Sequence, residues 1–412
     1  MSLRQIIEQE IRACGPIPFS RYMELCLYHP ELGYYTRNAA QFGKAGDFYT
    51  SSDVHAVFGR LLARQFEEMW RALDRPAQIE IREIGPGRGL FAQDVLDWSE
   101  KKFPQFFSAL RYVLVEASPA LRDQIERILE DRLKSGRAVL AEGPPEVTAD
   151  ALIAHPTQSE QDFGWRSASS AAIESEADDG ALAPAMPAVL FANEFFDALP
   201  VEIVSARGSL RIDVDRRQFV ETWAPLSPEE FEFLDRYSIH PEENERMEIS
   251  LAAHNAADEL FAQLGRGFST IIDYGYTRDE QLAGRHHGTL KTIRQHSVSA
   301  NPYEAPGEQD ITADINFTAL AGAAEKHGLR AHKLITQSQF LLGIGESTQF
   351  ADAFQDCRLP QERAKVALQL KHLVTPAGMG ESFHVLVASK GVDQSKASSL
   401  AGLSFGVSTP DK

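Results

Sequence analysis

The chain has 412 residues and a formal net charge of -18, long enough for a large core and more than one structural unit. Such an acidic balance disfavours general affinity for nucleic acid or anionic membrane and suits small or basic partners. Three widely spaced cysteines, Cys14, Cys26 and Cys357, with no Cys-x-x-Cys pair indicate neither a disulfide framework nor a zinc site, and no apolar run approaches the length of a membrane span.

Residues 1 to about 75 read as a helical lid region with a loop in its middle. Ile6, Ile7 and Ile11 form one short stripe, and Phe58, Leu61, Leu62, Phe66 and Trp70 form a longer one. The N-terminus reads directly as an amphipathic helix without a secretory signal, which fits a cytoplasmic location. Between the stripes, Gly43–Thr50 concentrates glycines and aromatics as a ligand-facing loop would, with Gly46 and Asp47 as candidate cofactor contacts.

A domain from 76 to 390 follows, starting with the strand Ile79–Ile84. After it comes Glu83-Ile84-Gly85-Pro86-Gly87-Arg88-Gly89, then a helical pattern with Phe91, Val95 and Trp98 on one face. Strand, glycine turn and helix make the first unit of a nucleotide-type fold, because a backbone that turns tightly against a ligand leaves no room for Cβ atoms. A dinucleotide fingerprint would place its third glycine where Leu90 stands. The Gly-x-Gly-x-Gly spacing led by Glu83 instead resembles motif I of the class I methyltransferases that bind S-adenosylmethionine. The apolar run Tyr112–Val115 suits a strand covered on both faces. It ends in Glu116, placed to accept ribose hydroxyls, and Ser118-Pro119 then starts a helix as N-cap and first-turn proline.

Further strands are expected at Ala138–Ala141, Ala188–Ala192 and Phe268–Ile272, forming with the first two a mostly parallel, doubly wound α/β sheet. Three insertions interrupt it. Residues 156–187 read as a mobile loop, and 200–223 as a β-hairpin added to the sheet or laid over the site. Residues 277–314 read as a structureless connection lining a binding site. His286-His287 are adjacent and point to different sides, so no metal is expected. A helix through Phe317, Leu320 and Ala324 stops at Gly328; a strand at 331–336, a helix at Pro360–Val374 and an antiparallel final strand at Phe383–Ser389 follow. Residues 391–412 read as a flexible tail.

Taken together, Gly43–Thr50, Glu83–Gly89, Asn193–Val201, Asp273-Tyr274-Gly275, Pro306–Asp314 and Met379-Gly380 resemble the MidA family of S-adenosylmethionine-dependent methyltransferases. The resemblance runs from about residue 5 to 390. It implies S-adenosylmethionine as cofactor and a protein arginine as acceptor, on a respiratory complex I subunit. Its departures, Ser51–His55 after the Gly-Asp-Phe loop and the 156–187 insertion, spare the cofactor motifs and leave the protein substrate open. The expected cofactor contacts are Glu83, Gly85, Pro86, Gly87, Gly89, Glu116 and Asn193, besides Gly46 and Asp47. For arginine, a carboxylate on the guanidinium edge would hold it in two hydrogen bonds and localise density on the reacting nitrogen. Glu194 and Asp197, with the Asn193 amide beside them, stand where substrates reach the cofactor in open α/β sheets, and are the candidate catalytic residues. A catalytically idle assembly factor and a small-molecule methyltransferase are the alternatives, and a homodimer is left open.

Overall fold

The computed structural model describes residues 1–37, 56–142, 186–286, 288–294, 297–299, 301–346 and 348–405. Its centre is a mixed sheet whose main strands are β1 (Ile79–Ile84), β2 (Leu110–Glu116), β3 (Ala138–Glu142), β4 (Ala188–Asn193), β5 (Gly267–Tyr276) and β6 (Phe383–Lys390), in the order 3-2-1-4-5-6. The pairs among β1 to β5 are parallel, and β6 lies antiparallel to β5. This is the expected class I methyltransferase sheet. The expected strand at 331–336 is instead two short pieces, Arg330–Ala331 and Ile335–Thr336, each antiparallel to β6.

Helices cover both faces of the centre of the sheet, which is why β4 reads as a continuous apolar run, Ala188–Ala192. On one face, α1 (Ala56–Ala72) and α2 (Leu90–Lys102) pack Phe58, Phe66 and Phe91 against Phe191 of β4, with the Phe91 and Phe191 rings stacked at 4.6 Å. On the other, α3 (Leu251–Ala262) and α4 (Phe317–Lys326) bring Ala257, Phe261 and Leu320 onto Leu190 and Ile271.

The helical region expected over residues 1–75 divides in two. Ala56–Ala72 belongs to the main core, whereas the helices Leu3–Cys14 and Phe19–Tyr28 bury Leu3, Ile7, Phe19 and Tyr22 against Ile203, Leu210 and Ile212 of a second sheet. That sheet corrects the hairpin expectation. The segment is a three-stranded meander, Glu202–Ser205, Gly208–Asp215 and Gln218–Ala224, whose middle strand also pairs with Ile17–Pro18 and whose first strand pairs with Met247–Ile249, and is separate from the central sheet. Nor is 277–314 structureless: it holds a short helix, Arg278–Leu282, and a three-stranded sheet of Lys291–Arg294, Ser297–Ser299 and Asp310–Thr312. The tail is likewise structured as far as residue 405. Gln394–Ser398 is helical and Leu400 is 2 % exposed in the main core, so only 406–412 remain outside the described residues. The 156–185 stretch, Gly43–Thr50 with Gly46 and Asp47, Ser51–His55, and His287 also lie outside them.

Candidate active site

Strand register sets the site. Ile84 pairs with Val115 and with Ala192, and Asn193 pairs with Ile272. The next residue along each chain therefore falls in a row at the carboxyl edge of the sheet: Glu116 and Asn193 as the last residues of β2 and β4, Gly85 just past β1 and, one further on from Ile272, Asp273. Ligands of open α/β sheets bind at this edge.

Gly85, Gly87 and Gly89 all have positive φ, 67°, 54° and 78°, the left-handed region that glycine alone enters without steric cost. Their surroundings separate their roles. A methyl group on Gly85 would fall 2.8 Å from Phe195 Cδ2, and one on Gly89 3.2 Å from Ile125 Cγ1, whereas one on Gly87 would meet nothing within 4 Å. Two of the glycines thus permit internal packing, and Gly87 leaves bare backbone facing open space. Gly89 is also the N-cap of α2, so the turn opens onto a helix N-terminus, favourable for an electron-rich group.

Glu83 is buried, and its Oε2 accepts the Tyr112 hydroxyl at 2.8 Å. Burial pushes its carboxyl up to about 8, with Glu116 adding in the same direction. Glu116 is buried too, its carboxyl pushed up to about 7. Its Oε1 accepts the Ser118 N–H at 2.8 Å. Ser118 does hold the N-cap position before Pro119, but its side chain makes no capping bond; the carboxylate behind it supplies one instead. Open glycine backbone beside a buried carboxylate at the end of the second strand fits a nucleoside with a vicinal diol.

The second motif touches the first through Phe195. Glu194 lies in left-handed backbone, φ 51°, its N–H donated to the Ile272 carbonyl at 3.0 Å and its Oε1 accepting from Asn193 Nδ2 at 3.1 Å. Asp197 is 3 % exposed and Asp273 fully buried. Asp273 holds the loop: Oδ2 accepts the N–H groups of Phe196 at 2.9 Å and Asp197 at 3.2 Å, and Oδ1 that of Tyr274 at 2.9 Å. Burial raises both carboxyls, and their neighbours (Asp314 for Asp197, then Asp197 and Glu194 for Asp273) raise them further.

Groups from distant segments complete the site, and sequence reasoning gave them no role. The Tyr28 hydroxyl donates to the Ala198 carbonyl at 2.8 Å, and Tyr35 donates to Asp310 Oδ1 at 3.0 Å, their rings 5.4 Å apart. Ala313 N–H reaches the Asp197 carbonyl at 3.1 Å, which sets Asp314 beside the Asn193–Pro200 loop. The available signal was the pair of motifs Asp273-Tyr274-Gly275 and Pro306–Asp314, whose acids fall where the chain returns to the sheet edge.

Fold and site together define a class I methyltransferase. The family described as "Putative S-adenosyl-L-methionine-dependent methyltransferase" matches residues 61–335, and the chain belongs to it. The protein arginine methyltransferase NDUFAF7 homolog, mitochondrial, of Drosophila melanogaster is 28% identical over 404 residues, covering 95% of this chain and 85% of that protein. Its human counterpart is 25% identical, covering 91% and 80%. A Burkholderia thailandensis protein solved with S-adenosyl-homocysteine bound superposes with a TM-score of 0.75 at 27% identity, covering 97% of this chain and 94% of that one. The chain is an S-adenosylmethionine-dependent methyltransferase, and the resemblance drawn from its motifs is borne out. The expected cytoplasmic location is not: the relatives are named as mitochondrial proteins. Among the described residues, no helix is long and apolar enough to cross a membrane.

Proposed function

We propose that the chain transfers a methyl group to an arginine of a partner protein, for which the family resemblance suggests a respiratory complex I subunit. The backbone at Glu194 carries this reading. A non-glycine residue held at positive φ costs about 1–2 kcal/mol, and such strain persists where surrounding structure over-determines it, as at functional sites. Here it sets a carboxylate just past the carboxyl end of β4, next to the Phe195 that packs on Gly85, with one oxygen oriented by Asn193. The relatives' names as protein arginine methyltransferases support the same acceptor.

The bound cofactor supplies a methyl group on a sulfonium for in-line displacement. Gly85–Gly89, with Pro86 in the turn, and Glu116 hold it, the backbone meeting its polar groups and the carboxylate its ribose hydroxyls; Asn193 stands at the boundary between cofactor and acceptor. Glu83 acts from behind by fixing β1 against Tyr112. Gly46 and Asp47 are proposed to contact the cofactor from the aromatic loop. Glu194 grips the acceptor guanidinium, which is fully protonated in water and a poor nucleophile, and concentrates its density on the reacting nitrogen. The methylated guanidinium keeps its charge, so transfer releases one proton. Asp197, its carboxyl pushed up to about 7 by burial and then by Asp314, takes it up when ionised.

Incubating the full-length protein with S-adenosylmethionine deuterated at the methyl group and an extract containing complex I subunits tests the reading. Mass spectrometry should find the label on arginine side chains. Labelling confined to other residue types or to small molecules would overturn the arginine reading.

A further inference from the structure

Beside the Asn193–Pro200 loop the chain already holds a cation of its own. Lys291 opens the strand Lys291–Arg294 and pairs with Thr312 of Asp310–Thr312. Gly275 pairs with Ile315, so Tyr274, two residues before the end of β5, lies next to Asp314. These registers bring the Lys291 ammonium 2.9 Å from Asp314 Oδ1 and 5.4 Å from the centre of the Tyr274 ring, within range of a cation–π contact. The Tyr274 ring is backed by Phe383 at 3.8 Å between centroids. His286 Nδ1 lies 3.5 Å from the other Asp314 oxygen, adding charge there only when protonated.

We propose that Lys291 is a specificity-determining residue, its ammonium filling the seat between Asp314 and the Tyr274 face that the acceptor guanidinium takes on binding. The inference rests on arginine as the acceptor. Lys291 is 49 % exposed and Asp314 15 %, so the ammonium stands on the water side of the carboxylate and can swing away into solvent, leaving the contact free to exchange. Two observations tie the seat to the reaction site. Ala313, next to Asp314, donates its N–H to the Asp197 carbonyl, and the Tyr274 hydroxyl is held up by burial and then by Glu194, Asp197, Asp273 and Asp314. A planar guanidinium stacks on the ring while bonding the carboxylate through two N–H groups. An ammonium does only what Lys291 already does. Arginine therefore displaces Lys291, and a substrate lysine gains nothing by replacing it.

The test is titration of N-acetyl-arginine amide and N-acetyl-lysine amide into the full-length protein saturated with S-adenosylhomocysteine, followed by NMR. The wild type should bind the arginine amide in clear preference. Lys291→Met should tighten the arginine amide by about threefold to tenfold at low salt, shrinking at high salt. It should also raise lysine binding by a larger factor, so that selectivity collapses. Lys291→Gln should behave alike, with both variants melting as the wild type does. Unchanged or weaker binding in both variants overturns the proposal, as does no binding to any of the proteins at millimolar concentrations. Methylarginine formation with selectivity unmoved by Lys291→Met sinks this inference alone. Collapsed selectivity with no methylarginine on any protein sinks the arginine-methylation reading and keeps the seat.

Discussion

Asp273 Oδ2 accepts the backbone N–H of Phe196 at 2.9 Å, tying the end of the fifth strand to the loop after the fourth. With its bonds to Asp197 and Tyr274, this one side chain satisfies three N–H groups. The conformation that holds Glu194 in the left-handed region therefore depends on a residue almost eighty positions away.

Asp273→Ala leaves those donors without their partner in a buried place. Each stranded N–H costs about 1–3 kcal/mol, so the melting temperature should fall by several degrees and methyl transfer should be lost. A variant that melts and reacts like the wild type would show that the loop is held by other means.

Glu194→Gly should separate strain from function. Glycine enters the left-handed region freely, so the protein should become more stable by up to about 1 kcal/mol, less whatever the bond to Asn193 contributes. Methyl transfer should disappear, a stabilising change bought with activity. A clear loss of stability, read by denaturant unfolding, would argue against strain at this position.

Gly87→Val carries a β-branched side chain into φ 54° and into the open space at the turn. Calorimetry should detect no binding of S-adenosylhomocysteine, while circular dichroism keeps its native form with a lowered melting temperature. Undiminished affinity would remove Gly87 from the cofactor site.

The buried carboxyls make stability depend on pH. Glu83 is pushed up to about 8 from 4.5 by burial, and Glu116 to about 7. Between pH 4.5 and 8 the folded protein then binds more protons than the unfolded chain. Stability from these groups is fully present below pH 4.5 and is lost as pH rises through 7 to 8. Glu83→Gln keeps an acceptor for the Tyr112 hydroxyl and removes one titrating group, so the fall in melting temperature between pH 5 and 8.5 should be shallower. An equal fall in both proteins would contradict the assignment.

The central sheet was legible because its inner strands are covered on both faces, which leaves runs such as Ala188–Ala192 unbroken, and because the glycine turn has a spacing with a mechanism. The second sheet was not, since Ile17 pairs with Ile212 and no local pattern encodes a pairing over such a distance. The small sheet of 291–312 escaped for a related reason: its strands are three or four residues long, too short for alternation to register. In the candidate site, Asn193, Glu194 and Asp197 are brought together by one contiguous motif, so their proximity was legible. Tyr35 and Asp310, 275 residues apart, meet only after folding, and Asp273 acts through backbone N–H groups that no side-chain pattern announces.

The most direct test compares Glu194→Gln with the wild type in methyl transfer to the labelled arginine protein, measuring S-adenosylhomocysteine affinity alongside. Losing one charge-assisted contact to the transition state is worth about 2.7–4 kcal/mol, so the rate should fall roughly a hundredfold to a thousandfold. Cofactor affinity should stay nearly constant, because Glu194 is proposed to grip the acceptor and not the cofactor. A variant that methylates arginine at the wild-type rate would contradict the account.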